Sequence, residues 1–366
     1  MPVARLRTRR ETVRVDGVEV VHDTVSVLDG QRVARRFREV EAELVGGDEK
    51  TLRRLEKQLR RAGAGPSDEF RPKLYQALDL AVPATVEPTR GIAPGAALGL
   101  ALAEQVRRLL LHDPGVRLGS DPEELHQMRV ATRRLRAFLR AGRPLLGPAW
   151  SEPLRDEVGW LGRALGPARD LDVLMERLED DVTAVGDDVD AIGGLLAELS
   201  AERESARRVV VDVLSSDRYL ALLDRLDGVA QPALSGDETP LRGVWRAEWR
   251  RTRKALSAID VGSTDAELHA GRIRVKRARY AAELAAHELR KPGRAFVEAA
   301  KELQDVLGDH QDAVVAEARI QEWGARSSDA AVADRLVERE QARKVEARAA
   351  WPKAWNTLRK AAKPLT

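Results

Sequence analysis

The chain has no cysteine in 366 residues. That excludes a disulfide framework, a thiolate nucleophile and any cysteine-held zinc or iron–sulfur site. Long apolar runs are missing too. The longest, Ala96–Ala103, is far below membrane-spanning length, and no signal peptide is recognisable. The expectation is a soluble cytoplasmic protein with no membrane partner. No HxxxH spacing lies on one helix, and the ExxH pair Glu123–His126 is followed by arginines that oppose a cation, so no metal ligand set and no cofactor is expected. Aromatic residues make up 4% of the chain. Net charge is also small, +3, so whole-molecule charge does not announce a polyanion partner.

What remains is a chain long enough for two or three domains with full cores. It is 33% charged and rich in Ala, Leu, Arg and Glu, a mixture that favours helices. Arginine far outnumbers lysine. Arginine is the better fork for phosphate or carboxylate oxygens, although codon usage in a GC-rich genome gives the same bias.

Local charge is more telling. Leu125–Arg143 opens LHQMRVATRRLRAFLR, and Leu268–Leu284 reads LHAGRIRVKRARYAAEL. Aligned without a gap, His126 matches His269, Arg129 matches Arg272, Arg133 matches Lys276, Arg134 matches Arg277 and Arg136 matches Arg279. On a helix turning about 100° per residue, His126, Arg129, Arg133, Arg136 and Arg140 share an arc of roughly 80°. Met128, Ala131, Leu135, Phe138 and Leu139 fall on the opposite side, as a core face should. No acid lies between Leu125 and Arg143, so the stripe has no partner at i±4. Tyr280 is the one aromatic interleaved with the stripes, which argues against a base-stacking nucleic-acid site.

Taken in order, residues 1–46 read as β structure. Arg5, Arg7 and Arg9 alternate with Leu6 and Thr8, Val18–Leu28 ends in an Asp29-Gly30 turn, and Phe37–Leu44 follows. A row of arginines on one strand and of Glu39, Glu41 and Glu43 on another suggests a shared charged interior. The plainer reading is a solvated sheet face with cross-strand ion pairs. Asp48–Ala62 reads as a helix capped by Asp48 and ended by Gly63, and Ser67–Ala77 as another. Ala81–Pro94 is a proline-bearing linker.

The rest reads as helices. These are Gly95–His112, the basic helix capped by Asp121, Ser151–Ala164, Asp170–Val182, Val189–Ser215 and Arg218–Leu226. Leu241–Ala258 then restarts the cycle. The second basic helix starts at Thr264-Asp265, and Gly293–Leu307, Gln311–Trp323 and Ala330–Ala362 follow. Leu165-Gly166-Pro167-Ala168-Arg169-Asp170 aligns with Leu307-Gly308-Asp309-His310-Gln311-Asp312. Each reads as a glycine-ended helix followed by an Asp cap. Two features repeated in the same order indicate an internal duplication, and two antiparallel bundles about a pseudo-twofold axis would bring the stripes face to face.

Two resemblances add to this. Residues 1–80, with HDTVSVLDG, FREVEAEL and LRRAGAGPS, resemble the C-terminal half of a CYTH domain, the triphosphate tunnel barrel. A catalytic member opens with an ExExK strand, and this sequence begins at Met1-Pro2-Val3 without one. The expectation is a remnant or truncated module with no triphosphatase activity. The motifs LHQMRVATRRLRAF, LGPARDLDVL, LHAGRIRVKRARYAAEL and LQDVLGDHQDAVV resemble the CHAD domain, the conserved-histidine α-helical domain. The likeness spans residues 94–366, with repeats at about 94–230 and 238–364. It implies a mainly α fold of two four-helix bundles around a basic cavity, and non-catalytic binding of inorganic polyphosphate, with residence on polyphosphate granules. Carried onto this chain, the binding positions are His126, Arg129, Arg133, Arg134 and Arg136, then His269, Arg272, Lys276, Arg277 and Arg279. Arg140 lies on the same stripe, and Arg169 and His310 are candidates at the two LG turns.

Other readings compete. The stripes could be solvated faces, or could pair with acids of Glu179–Asp190 and Glu338–Glu346. His126 and His269 could be structural, and His22, His112 and His287 read as surface residues. The chain could also be a metal-dependent triphosphatase of the CYTH type, or a nonspecific binder of nucleic-acid backbone. No specific nucleic acid is expected.

Overall fold

The structure is a computed structural model describing residues 5–46, 48–65, 73–79, 91–119, 121–185, 189–260, 262–326 and 330–366. Much of the expected linker, the start of the expected Ser67 helix and the Met1-Pro2-Val3 opening lie outside the described residues. The chain divides into two compact units, Met1–Ala84 and Thr85–Thr366.

The first unit holds a three-stranded antiparallel meander, β1 (Arg5–Val15), β2 (Val18–Asp29) and β3 (Arg32–Leu44), with β2 central. Helices α1 (Glu49–Arg61) and α2 (Lys73–Leu78) follow. Asp48 caps α1, accepting from the Thr51 N–H at 2.8 Å. Directly paired residues share a face of the sheet. Asp23 sits between Arg10 and Glu39, and Ser26 between Arg7 and Arg36. The arginine row and the glutamate row therefore lie on opposite faces, and the shared charged interior does not form. Cross-strand ion pairs do form, at Arg10–Asp23 (2.8 Å) and Arg14–Glu19 (2.7 Å). Lys73 of α2 joins Asp23 at 2.5 Å. The hydrogen bond from Arg10, helped by Lys73, holds the buried Asp23 carboxyl down at about 2. Glu39, also approached by Lys73, is pushed up by burial.

The second unit is helical throughout. Its helices are α3 (Pro94–Leu118), α4 (Pro122–Ala141), α5 (Pro148–Val185), α6 (Val189–Leu214), α7 (Asp217–Asp227), α8 (Leu241–Leu256), α9 (Asp265–Leu284), α10 (Ala286–Gly324) and α11 (Ala330–Ala362). Packing follows chain order. Helix α4 lies between α3 and α5, and α5 packs on α6; likewise α9 lies between α8 and α10, and α10 packs on α11. Helices α4 and α9 also pack on each other, which joins the two bundles at their basic helices. The core face of α4 is as its pattern predicts: Met128, Ala131, Leu135, Phe138 and Leu139 are all buried. Ala278, the counterpart of Leu135, is buried too.

The LG turns are the main correction. Gly166 and Pro167 lie inside α5, and Gly308 lies inside α10. Pro167 removes one backbone donor, a loss normally enough to break a helix, yet α5 continues to Val185, 38 residues in all. The break in α10 comes earlier, at Arg290 with φ 53° and ψ −140°. Long-range packing, with Leu165, Ala168, Leu307 and Ala313 all buried, overrides the local stop signal.

Candidate functional site

Both basic helices begin at well-made caps. Asp121 accepts from the Glu123 N–H at 2.9 Å. Thr264 and Glu267 form a reciprocal capping box on α9, which satisfies two otherwise orphaned donors. These caps fix where each stripe starts.

The crossing of α4 and α9 is drawn together at Arg133, whose Nε donates to the Tyr280 hydroxyl at 2.7 Å. Around it the charges converge. Arg133 and Arg272 both act on Lys276, as does Arg279. Burial first, then these three cations, push the Lys276 ammonium down to about 7, with Asp312 opposing. His126 is pushed down by burial and by Arg169, Arg133 and Arg129, with Glu123 opposing. Arg272 is lowered by burial and by Arg133, against Asp312 and Asp305. Arg133 therefore belongs to both repeats' clusters.

The counter-charges come from other helices. Arg129 pairs with Asp170 of α5 at 2.7 Å, and Asp312 of α10 is the carboxylate that acts most on Arg272. Asp170 and Asp312 read as helix caps in the sequence; in the fold they lie mid-helix and face arginines. Glu283 at the end of α9 lies 3.1 Å from Arg134 Nε and 3.5 Å from Arg279 Nε. Yet Nε of Arg134, Arg169, Arg272 and Arg279, and Nδ1 of His269, are buried without a hydrogen-bond partner. Buried polar groups of this kind are costly unless an acceptor reaches them.

The glycines of the LG motifs gain a different role. A Cβ on Gly308 would stand 3.2 Å from an Arg272 guanidinium nitrogen, and one on Gly166 would stand 4.0 Å from its counterpart on Arg129. Gly166 leaves room for a methyl beside Arg129, whereas Gly308 lets Arg272 lie close along α10. Arg136 lies against Gly159 of α5 in the same way, at 3.2 Å.

Not every expected residue joins the cluster. His310 is buried and pairs with Asp265 at 3.2 Å, at the start of α9. Its other charged neighbours are Arg348 and Lys344, so it serves the α9 terminus rather than the stripe. Arg277 and Arg274 act on Arg140, and Arg274 acts on Arg277, with Glu248 opposing in both cases, so these three form a separate group. Of the acids in Glu179–Asp190 and Glu338–Glu346, Asp181 and Glu340 are engaged with other arginines. Glu340 is fully buried against Arg177 (2.6 Å) and Arg343 (2.6 Å), and Asp181 against Arg343 and Arg339. His112 is a further correction: it is buried, with Nδ1 2.8 Å from Glu124. Tyr280, Glu283, Asp170, Asp312 and Arg274 are the site residues that sequence reasoning missed or gave no role. The signal available for the last four was helical phase alone, read against elements whose neighbours were unknown.

Beside the cluster, a cleft of about 530 Å³ is lined by α5, α10 and α11, with Glu176, Asp180, Asp309 and Asp312 on its walls. Among the described residues, no group of three or more His, Asp or Glu side chains is arranged to hold a metal ion. No described helix is long and apolar enough to cross a membrane.

Comparison with known proteins gives a consistent fold. The family model described as CHAD domain matches residues 100–321. Two curated proteins of Mycobacterium tuberculosis, from the Oshkosh and H37Rv strains and both named only as uncharacterized, are 32% identical over 351 residues. The match covers 86% of this chain and 66% of theirs, so this chain spans just under two thirds of their length. PptA from Streptomyces chartreusis shares the fold with a TM-score of 0.61 at 24% identity, over 72% of this chain and all of its own. The CHAD domain from the plant Ricinus communis matches with a TM-score of 0.62 at 26% identity, over 75% of this chain and 95% of its own.

Proposed function

The chain belongs to the CHAD domain family, and from that premise we propose that it binds inorganic polyphosphate without catalysis. The observation that carries this reading is the convergence of both repeats' cations on Arg133, with buried side-chain nitrogens of Arg169, Arg272 and His269 left unpaired. Polyphosphate carries about one charge per phosphate and no sequence to read. It asks for an array of cations rather than a shaped pocket, and arginine forks suit its non-bridging oxygens. Binding then follows the counterion-release behaviour of phosphate backbones and weakens steeply with salt.

On this reading the cytoplasmic protein resides on polyphosphate granules. The first unit, which resembles part of a CYTH domain, carries a basic sheet face of Arg5, Arg7, Arg9, Arg36 and Arg38, and no hydrolysis is expected of this chain. A metal-dependent phosphate-release assay tests the last point: release of phosphate from triphosphate above background would make the chain an enzyme. The central test is titration with long-chain polyphosphate at two salt concentrations, in competition with duplex DNA of equal charge concentration. Polyphosphate is expected to win at both. A win for DNA overturns the reading.

A further inference from the structure

The duplication allows each contact across the α4–α9 crossing to be compared with its symmetry mate. Arg134 and Arg277 are equivalent positions, and so are Arg140 and Glu283. Arg134 meets Glu283 as an ion pair at 3.1 Å. The symmetry mate of that contact is Arg140 against Arg277, two like charges. They are neighbours in the fold: Arg277 is the charge that acts most on Arg140, followed by Glu248, Arg274 and Arg143. One end of the crossing is neutralised and the other is not.

Arg140, Arg274 and Arg277 are each half-buried. Among the described residues, the carboxylate acting on Arg140 and Arg277 is Glu248. It is 9% exposed, its Oε1 already accepts from Arg251 at 2.9 Å, and its Oε2 is buried without a partner. Holding three guanidiniums together with one occupied acid is costly in partly desolvated surroundings. An anion offsets that cost.

We propose that Arg140, Arg274 and Arg277 form a second anion subsite, over which a polyphosphate chain leaves the central cluster, while Glu283 closes the symmetry-related exit. This rests on the polyphosphate reading and sharpens its substrate class. Arg133 and Arg140 are seven residues apart on α4, about 10 Å of axial rise. A triphosphate held at Arg133 and Lys276 uses the central cluster alone, whereas a long chain engages both groups. The site therefore selects for length, and it does so from one side.

The test uses the full chain with two probes, triphosphate and long-chain polyphosphate, titrated calorimetrically at one salt concentration. Arg140→Gln with Arg277→Gln is expected to weaken long-chain binding by about tenfold or more, the worth of one or two charge-assisted hydrogen bonds. Triphosphate affinity is expected to stay within about twofold. Arg274→Gln, a single change on a half-exposed side chain, is expected to act in the same direction and guards against misfolding of the double variant; helix content by circular dichroism checks both. Equal loss for the two probes, or no loss for the long chain, overturns the exit subsite while leaving polyphosphate binding intact. Failure of the unmodified chain to bind either probe overturns the polyphosphate reading and this proposal together.

Discussion

Arg133 and Tyr280 lie on different repeats, and the 2.7 Å hydrogen bond from guanidinium Nε to phenol oxygen ties the two basic helices at their crossing. The phenol accepts that bond without adding an opposing full charge. It leaves the rest of the Arg133 fork to a ligand while fixing the fork's direction. Tyr280→Phe keeps the ring and removes the acceptor. A loss of about 0.5–1.5 kcal/mol in polyphosphate binding is expected, with helix content unchanged. Isothermal titration of the variant checks it, and wild-type affinity would show that Arg133 needs no tether.

Reversing the charge of the shared pair gives the strongest expected effect. Arg133→Glu with Lys276→Glu places two carboxylates where both repeats' cations converge. Polyphosphate binding is expected to collapse while far-ultraviolet circular dichroism stays the same. The milder Arg133→Gln with Lys276→Gln removes two phosphate contacts without repulsion. It should flatten the slope of log affinity against log salt by about 1.4, taking the single-strand value per contact.

Proton linkage gives a prediction with a definite sign. Lys276 titrates at about 7 in the ligand-free protein, and His126 lies below its ordinary value. A bound polyanion screens the surrounding cations and raises both. The complex thus holds more protons than the free protein, so affinity must fall as pH rises. Lys276 acts from about pH 7 upward, and His126 acts below about 6.5. Polyphosphate binding is expected to tighten steadily from roughly pH 8 to roughly pH 6, and Lys276→Met to abolish the upper part of that trend. Fold stability runs the other way. A lysine whose folded value lies below its unfolded 10.5 adds stability that is fully present above the unfolded value and lost as pH falls toward 7. Thermal melts of the ligand-free chain at several pH values, with and without Lys276→Met, read this directly.

The two motif glycines should separate positioning from stability. Gly308→Ala brings a methyl to 3.2 Å from the Arg272 guanidinium, so that arginine must move. Gly166→Ala meets nothing closer than 4.0 Å. The first change is expected to weaken polyphosphate binding. The second should leave binding alone and stabilise α5 by about 1 kcal/mol through helix propensity. Melting temperatures and titrations on the two variants form a matched pair.

Glu340 tests the architecture rather than the ligand. Its side chain is fully buried between Arg177 and Arg343. Glu340→Ala leaves two guanidiniums without their acceptor and is expected to cost about 3–5 kcal/mol, read as a shift in denaturant midpoint.

Much of this is legible in the sequence. The 3.6-residue period of Met128, Ala131, Leu135, Phe138 and Leu139 placed the core face correctly, and Asp48, Asp121 and Thr264 marked helix starts because capping is a local interaction. What failed was whatever depended on neighbours. Gly166-Pro167 looks like a stop signal until α5 is seen packed on both sides. Glu39 and Arg7 looked like facing rows until the register put Arg10, not Arg7, opposite Asp23. His112 looked exposed because its partner, Glu124, comes from the next helix. The roles of Glu283 and Asp170 could not be read at all, since each is defined by an arginine on another element.

The second, smaller core has a consequence for how fast the protein works. Leu174 and Leu178 of α5, Leu195 and Leu199 of α6, Ile320 and Trp323 of α10 and Leu336 of α11 form one buried cluster. The two bundles are therefore fastened twice, at the α4–α9 crossing and again at this distal knot. On the polyphosphate reading, a site held this way is expected to be preformed, so that a polyanion would meet its final binding geometry at first contact. Association should then be set by electrostatic steering rather than by any opening step: a single fast phase, linear in polyphosphate concentration, whose rate constant drops sharply as salt is added.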